Sequence, residues 1–171
     1  MRHIGLGIAM VGIMAGGCAG NSQHPELRAL LDEAPYTLRQ SVDVAVEATP
    51  GDAERATLVT RDPVFSIDVV AASARTDVRV SPMTGQVVSS AAAGASAFAC
   101  PDAIPLAEAL AIAESAADGE AIQSVPDDDV DCAFEIQVLA GESLIEVKVG
   151  PDGAVLEQEP SDEFGGGEDD D

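Results

Sequence analysis

The chain has 171 residues and is strongly acidic, with 31 Asp and Glu against eight Lys and Arg and a formal net charge of −23. This balance excludes nucleic acid as a partner and excludes docking on anionic lipid by charge, because both are themselves negative. Aromatic residues make up 3% of the chain and Trp is absent, so Val, Ile, Leu and Ala must supply the core.

The amino terminus has the pattern of a bacterial lipoprotein signal. A basic start precedes an apolar run, Ile4 to Met14, which is too short to span a bilayer. Small residues then lead to Cys18, so we predict a cleaved signal peptide over 1–17 and lipidation, for example with palmitate, at Cys18. The alternatives are ordinary secretion with cleavage nearby, or a cytosolic protein with an apolar terminus.

Lipidation would attach the mature protein to a membrane through its lipid anchor. We therefore expect it in the bacterial cell envelope, exported, on the periplasmic side of the outer membrane if the cell is Gram-negative. The segment 18–35 that follows the anchor is predicted to be a polar leader or tether.

Two segments, 68 residues apart, have the apolar spacing of an amphipathic helix. The first is TLRQSVDVAVEATPG at 37–51 and the second is PLAEALAIAESAADG at 105–119. Thr37 and Gln40 form a capping-box signature in the first, whereas Pro105 suits the first turn of the second. Apolar residues recur at i, i+4 and i+7, which puts them on one helical face. These residues are Leu38, Val42 and Ala45 in the first helix and Leu106, Leu110 and Ala113 in the second.

Each helix is followed by short segments in which apolar and polar residues alternate. FSIDV at 65–69 corresponds to FEIQV at 134–138, and TDVRV at 76–80 corresponds to IEVKV at 145–149. Alternation gives each strand one buried face and one solvent-exposed face. Pro and Gly then form a turn at the end of each copy.

Together these patterns predict an α+β fold with two tandem repeats. Each repeat has one helix packed on a small antiparallel sheet in the order α-β-β-β, with room for a short fourth strand. The first repeat, more diverged, covers 36–90 and the second covers 104–158. Residues 91–103 are predicted to be a linker, and 159–171 a disordered acidic tail.

The second copy resembles a PepSY domain. The similarity is carried by IPLAEALAIAESAADG, then FEIQVLAG, then IEVKVGPDGAVLE. YTLRQSVDVAVEA, VFSIDVV and VRVSPMTGQVV resemble a second, more diverged copy. The resemblance implies a secreted or envelope-attached module of a helix on an antiparallel sheet. PepSY modules occur in metallopeptidase propeptides, where they are thought to inhibit the peptidase; no peptidase follows here, so inhibition would have to act in trans.

Two cysteines besides Cys18 are expected to form a disulfide in an oxidising envelope, namely Cys100 and Cys132. Cys132 is in phase with Phe134 on the inward face of the predicted strand, and Cys100 precedes the helix that covers that face. Closing this loop would stabilise the fold by about 3 to 4 kcal/mol. Two separate buried thiols are the alternative.

No catalytic constellation is present. His24 is the one histidine left after removal of the signal peptide, and the chain has no HExxH, GxSxG or GxxxxGK motif. We therefore expect a protein that is not an enzyme and needs no cofactor.

An acidic cluster lies between strands of the second copy. Its spacing begins like a calcium loop, yet Cys132 stands where that loop needs Gly and Val138 where it needs Glu, so it is not an EF-hand. Weak binding of divalent cations is a hypothesis, without a defined metal site. The cluster consists of Asp127, Asp128, Asp129 and Asp131.

Three functions are compatible with these features. The leading one is a lipid-anchored, non-catalytic module that binds an envelope protein, with an extracytoplasmic peptidase as one candidate, through a sheet edge or the outward sheet face. The second is a structural or spacer lipoprotein on the surface. The third is an acidic lipoprotein that binds divalent cations.

Overall fold

The structure, a computed structural model, describes residues 23–162 and 164. The predicted signal peptide, Cys18 and most of the predicted acidic tail lie outside the described residues.

The chain folds as an α+β protein with helices α1 to α3 and strands β1 to β8 in the described ranges. The fold class is confirmed. The elements in chain order are α1 (Pro25–Glu33), α2 (Leu38–Ala48), β1 (Asp52–Val59), β2 (Val64–Ala71), β3 (Ala74–Val80), β4 (Val87–Ala95), α3 (Leu106–Ala117), β5 (Glu120–Pro126), β6 (Phe134–Ala140), β7 (Ser143–Val149) and β8 (Val155–Ser161).

All eight strands form one antiparallel sheet, in the order β4-β3-β2-β1-β5-β6-β7-β8. The two halves meet at its centre, where Ala56 of β1 pairs with Ser124 of β5, and Thr57 with Gln123. The helices α2 and α3 also touch, and the Nε of Arg39 lies 3.2 Å from the Oε2 of Glu114 across that contact. The halves are therefore parts of one continuous sheet with a shared layer of helices.

A helix followed by four strands occurs in each half, rather than the predicted helix with three strands. The fourth strands, β4 and β8, are nine and seven residues long and pair fully beside β3 and β7. The sequence pattern does not predict strands of this length, because both strands lie at a sheet edge, are mostly exposed, and lack the apolar alternation of a half-buried strand. Descent of the two halves from a tandem repeat stays a prediction.

Gly51 and Gly119 occupy matching places in the two halves, just before the first strand of each. A Cβ at Gly51 would lie 2.5 Å from the carbonyl oxygen of Val70, and one at Gly119 would lie 2.6 Å from that of Leu139. No side chain fits at these distances, so both close approaches require glycine.

The inner face of the sheet packs against α2 and α3 and forms the core. Each large side chain buried in this core contributes roughly 1.5–3 kcal/mol through the hydrophobic effect. The helices that cover it begin close to where the sequence predicts: the Thr37 capping box is present, and Pro105 is the N-cap of α3, one residue before the expected position. The buried residues of the inner strands include Phe65, Ile67, Val69, Val78, Val80, Phe134, Ile136, Val138, Val147 and Val149, as the alternation predicted.

The predicted polar leader, 18–35, contains a helix, α1, and this is a correction. Its Leu27 and Leu31 are buried in the same hydrophobic cluster as Leu139 and Leu144, which alternate with the inward residues of β6 and β7. The His24 amide donates to the Glu142 carbonyl over 2.8 Å, which ties the start of α1 to the β6–β7 turn. The helix therefore covers apolar side chains that inner-face packing alone would leave in water.

The predicted linker, 91–103, is also corrected, because its first five residues belong to β4. This Ala- and Ser-rich segment has low intrinsic strand propensity, and pairing with β3 overrides that preference. The rest of the segment runs toward Cys100 at the start of α3.

We predict that Ile136→Asp unfolds the protein, with a loss of more than about 4 kcal/mol of unfolding free energy, because it buries an unpaired carboxylate. Met83→Asp is the matched control, since Met83 is 53% exposed and lies in the turn between β3 and β4, and it should change stability by less than about 0.5 kcal/mol. Urea denaturation followed by circular dichroism measures both. Equal midpoints for the two variants would contradict the face assignment.

Candidate functional site

The candidate site is the outer face of the sheet, opposite α2 and α3. Beyond the end where α1 covers Leu139 and Leu144, this face is polar, as alternation predicted, and its two halves differ in charge. The outward charged residues include Arg55, Asp68, Arg75, Asp77 and Arg79 in the first half, and Glu120, Glu135, Glu146, Lys148, Glu157 and Glu159 in the second. Glu120 lies 3.3 Å from a guanidinium nitrogen of Arg28 in α1.

Four of the charges in the first half lie in two pairs, Asp77 with Arg79 and Asp68 with Arg75. Asp77 accepts a 2.6 Å hydrogen bond from the Ser66 hydroxyl and lies 3.0 Å from the Nε of Arg79. Asp68 lies 3.8 Å from a guanidinium nitrogen of Arg75. Burial raises the pKa of Asp68, and the nearby positive charge of Arg75 only partly offsets this rise. This half has few free charges to offer a partner.

The second half carries a row of carboxylates across three strands. Glu146 of β7 pairs directly with Glu159 of β8, and Glu135 of β6 lies beside them. They line an open groove of about 470 Å³, which also includes Gln123, Gln137 and Asp162. Like charges on adjacent strands repel, so the folded sheet holds this row at a cost in free energy.

Glu146 shows the effect of this crowding. Its pKa is raised first by burial, then by the negative charge of Glu135 and a side-chain hydrogen bond with it, and by Glu159; Lys148 acts in the opposite direction. When protonated, Glu146 can donate to the Glu135 carboxylate. A guanidinium or ammonium group from outside could take the place of that proton.

The predicted cation residues do not converge on one point. The side chain of Asp127 is fully buried, and its Oδ2 lies 2.7 Å from the Nζ of Lys148. Its Oδ1 accepts hydrogen bonds from the amides of Asp129 and Val130, at 3.0 and 2.6 Å. Asp127 thus closes a turn and neutralises Lys148. Its neighbours in the predicted set, Asp128, Asp129 and Asp131, are exposed.

Burial alone would raise the pKa of Asp127. The hydrogen bond from Lys148 and those from the two backbone amides outweigh burial, so the pKa lies below its ordinary value. The Lys148 pKa is raised, chiefly by its hydrogen bond to Asp127. Within residues 23–162 and 164, no group of three or more His, Cys, Asp and Glu side chains is placed to hold a metal ion.

Cys100 and Cys132 form a disulfide, with their Cα atoms 5.6 Å apart. The prediction that Cys132 lies on the inward face of a strand is wrong. Cys132 lies in the turn before β6, with a positive φ of 62°. The bond joins this turn to the segment that enters α3. Phe98 of that segment packs on Phe134, with ring centroids 6.0 Å apart.

The sequence predicts only part of the carboxylate row. Alternation puts Glu135 and Gln137 on the solvent-exposed face of their strand, but Glu159 falls within the predicted acidic tail, 159–171. The row forms only when β7 and β8 pair in register, and this register depends on β8, a strand that the sequence does not predict at full length.

The described helices include none with both the length and the apolar character that a membrane span requires.

Comparison with protein-family models finds no match, and comparison with curated proteins finds no significant one. The PepSY resemblance therefore stays a prediction. Among solved structures, a protein described as a lipoprotein from Clostridium difficile 630 is 14% identical, with a TM-score of 0.44, over 77% of this chain and 98% of that chain. A protein described as periplasmic from Bacteroides eggerthii DSM 20697 is 20% identical, with a TM-score of 0.26, over 71% and 88%. Both likenesses are too distant to transfer a function.

We predict that Asp127→Asn destabilises the protein at neutral pH by about 1–3 kcal/mol, since it removes the nearer charge partner of Lys148, at 2.7 Å, and leaves Glu157 at 3.9 Å. The lowered pKa means that the contribution of Asp127 is present above the ordinary Asp value of 3.8 and is lost as pH falls through the folded value. Urea denaturation at neutral and acidic pH should show the difference narrowing in acid. A calcium-dependent midpoint in the wild type that Asp127→Asn abolishes would instead assign Asp127 to a cation site.

We predict that Glu146→Gln stabilises the protein at neutral pH by about 0.2–1 kcal/mol, by removing repulsion within the row. The raised pKa makes ionisation unfavourable in the folded state, so the gain vanishes below the ordinary Glu value of 4.5 and grows as pH rises through the folded value. Glu157→Gln is the matched control, because Glu157 lies 3.9 Å from the Nζ of Lys148 and should give no gain. Equal behaviour of both variants across pH would contradict the coupling of Glu146 with Glu135.

Proposed function

We propose that this protein is a lipid-anchored envelope protein that acts as a non-catalytic binding module, and that it engages a basic segment of an extracytoplasmic partner through the carboxylate groove of its outer sheet face. The observation that carries the proposal is the crowding of Glu135, Glu146 and Glu159 in one open groove, with the Glu146 pKa raised.

A positive partner group would relieve the repulsion that the groove contains. The raised pKa of Glu146 means that its ionised form is disfavoured by burial and by the neighbouring carboxylates, and an Arg guanidinium can stabilise that form with a charge-assisted, bidentate hydrogen bond. Binding to the groove should therefore weaken as pH falls and the groove carboxylates become protonated. Complementary charge also favours fast and selective association.

The location rests on the amino-terminal pattern. Lipidation at Cys18 would tether the protein to the membrane, and the disulfide between Cys100 and Cys132 agrees with an oxidising compartment. The proposal assigns no catalytic residue, because the sequence contains no HExxH, GxSxG or GxxxxGK motif and His24 is its one histidine outside the predicted signal peptide. An extracytoplasmic peptidase is one partner that the PepSY resemblance suggests, with inhibition of that peptidase as the consequence.

The experiment is a crosslinked pull-down of the full-length protein from its own envelope, with partners identified by mass spectrometry. Four forms are compared: wild type, Cys18→Ser, the pair Glu135→Gln with Glu146→Gln, and the matched control Glu157→Gln. We expect a partner in near-equal amount with the wild type and with Glu157→Gln, and at least about a tenfold loss with the double variant.

The remaining outcomes are distinct. Equal recovery with the double variant would overturn the groove as the binding site. No recovery above background with any form would overturn the binding function in favour of a spacer. Continued membrane association of Cys18→Ser would overturn the anchor.

A further inference from the structure

The two edges of the sheet differ in how they are protected. Free strand edges expose unpaired backbone groups, and proteins usually block them with charges or Pro. The β8 edge follows this rule, since it contains Glu157, Glu159 and Pro160. The β4 edge, VVSSAAAGA, contains no charged residue and no Pro.

The outer side of β4 is open in the described part of the chain. It forms the end of the sheet and pairs with β3 alone. All its residues except Ala93 are exposed. Register shifts lie near both ends of the strand, and the stretch between them, 89–92, pairs regularly with β3. Arg75 fixes one shift by donating to the Ala93 carbonyl oxygen, at 3.2 and 3.3 Å.

The charge around β4 limits what can cover it. The stretch 80–101 contains no Asp, Glu, Lys or Arg, in a chain with a net charge of −23. A basic partner strand would therefore find no carboxylate on β4 to pair with. A second, equally acidic copy can approach along this uncharged stretch without placing like charges directly opposite one another.

The side chains also suit a symmetric contact. Ser89 and Ala91 share the outer face with Arg79 and Asp77, and Ser90 and Ala92 share the inner face. These small residues on both faces do not obstruct a neighbouring strand. An antiparallel pair of identical strands is the isologous contact that a two-fold axis produces.

We propose that β4 pairs antiparallel with β4 of a second copy, which joins two sheets edge to edge in a homodimer. Main-chain hydrogen bonds provide the affinity, as in strand addition generally. The pairing leaves the carboxylate groove, which lies at the opposite end of each sheet, open in both subunits.

Salt distinguishes this contact from groove binding. The dimer brings two acidic molecules together, so salt should strengthen it by screening their repulsion at distances beyond the Debye length, about 8 Å at 0.15 M. Salt should weaken the capture of a basic segment by the groove. The two interactions therefore respond to ionic strength with opposite signs.

The experiment is sedimentation equilibrium of the purified Cys18→Ser chain at low and high salt, with Ala91→Lys as the test variant. A lysine at position 91, the centre of β4, makes the chain less acidic, and this change in net charge alone would favour association. At the edge contact, however, the two lysines would lie close together across the two-fold axis, and their like-charge repulsion should disrupt the dimer. Leu156→Lys is the matched control on the β8 edge, at a side chain that is 49% exposed.

We expect the wild type and Leu156→Lys to dimerise more strongly at high salt, and Ala91→Lys to raise the dimer dissociation constant at least about tenfold. Unchanged melting curves would show that both variants fold. A monomeric wild type at every salt concentration, or equal dimerisation of Ala91→Lys and Leu156→Lys, would overturn the proposal. Ser90→Cys and Ala91→Cys, made one at a time, provide a direct check, because a dimer through β4 should give oxidised crosslinks with one or both variants.

Discussion

The antiparallel contact between β1 and β5 is the constraint on which the rest of the structure depends. It involves two residue pairs in register, Ala56 with Ser124 and Thr57 with Gln123, yet it unites two four-stranded halves. Because the halves share one sheet, α2 and α3 lie side by side on one face and pack against each other. Without this contact each half would expose the edge of its first strand and would carry its own small core.

A single sheet also produces a single outer face with an uneven distribution of charge. The Arg residues of the first half are matched by Asp77 and Asp68, whereas the second half has Lys148 against several carboxylates. Lys148 is held by the buried Asp127, so it does little to neutralise Glu146. The excess negative charge of the outer face is thus concentrated at the groove, while the other end of the sheet carries an uncharged edge strand. These two surfaces suit partners of different chemistry.

Much of the inner half of this architecture could be predicted from sequence. Alternation identified the core residues of β2, β3, β6 and β7, helical spacing identified the buried faces of α2 and α3, and cysteine count suggested the disulfide. The edge strands β4 and β8 could not be predicted at full length, because strand pairing rather than residue preference determines them. The helix α1 is not predicted, because the segment that forms it is mostly polar, although Leu27 and Leu31 have helical spacing. The carboxylate row depends on the register between three strands, which alternation within one strand does not define.

The most direct test of the continuous sheet is amide hydrogen exchange, followed by NMR, at the backbone amides that form hydrogen bonds between β1 and β5, around Ala56–Thr57 and Gln123–Ser124. If the two halves form one cooperative unit, these amides should exchange with the same free energy of opening as the central amides of β2 and β6. Faster exchange at the β1–β5 contact, with β2 and β6 still protected, would show that the halves separate in the native state. That result would contradict a shared sheet and, with it, a single outer face.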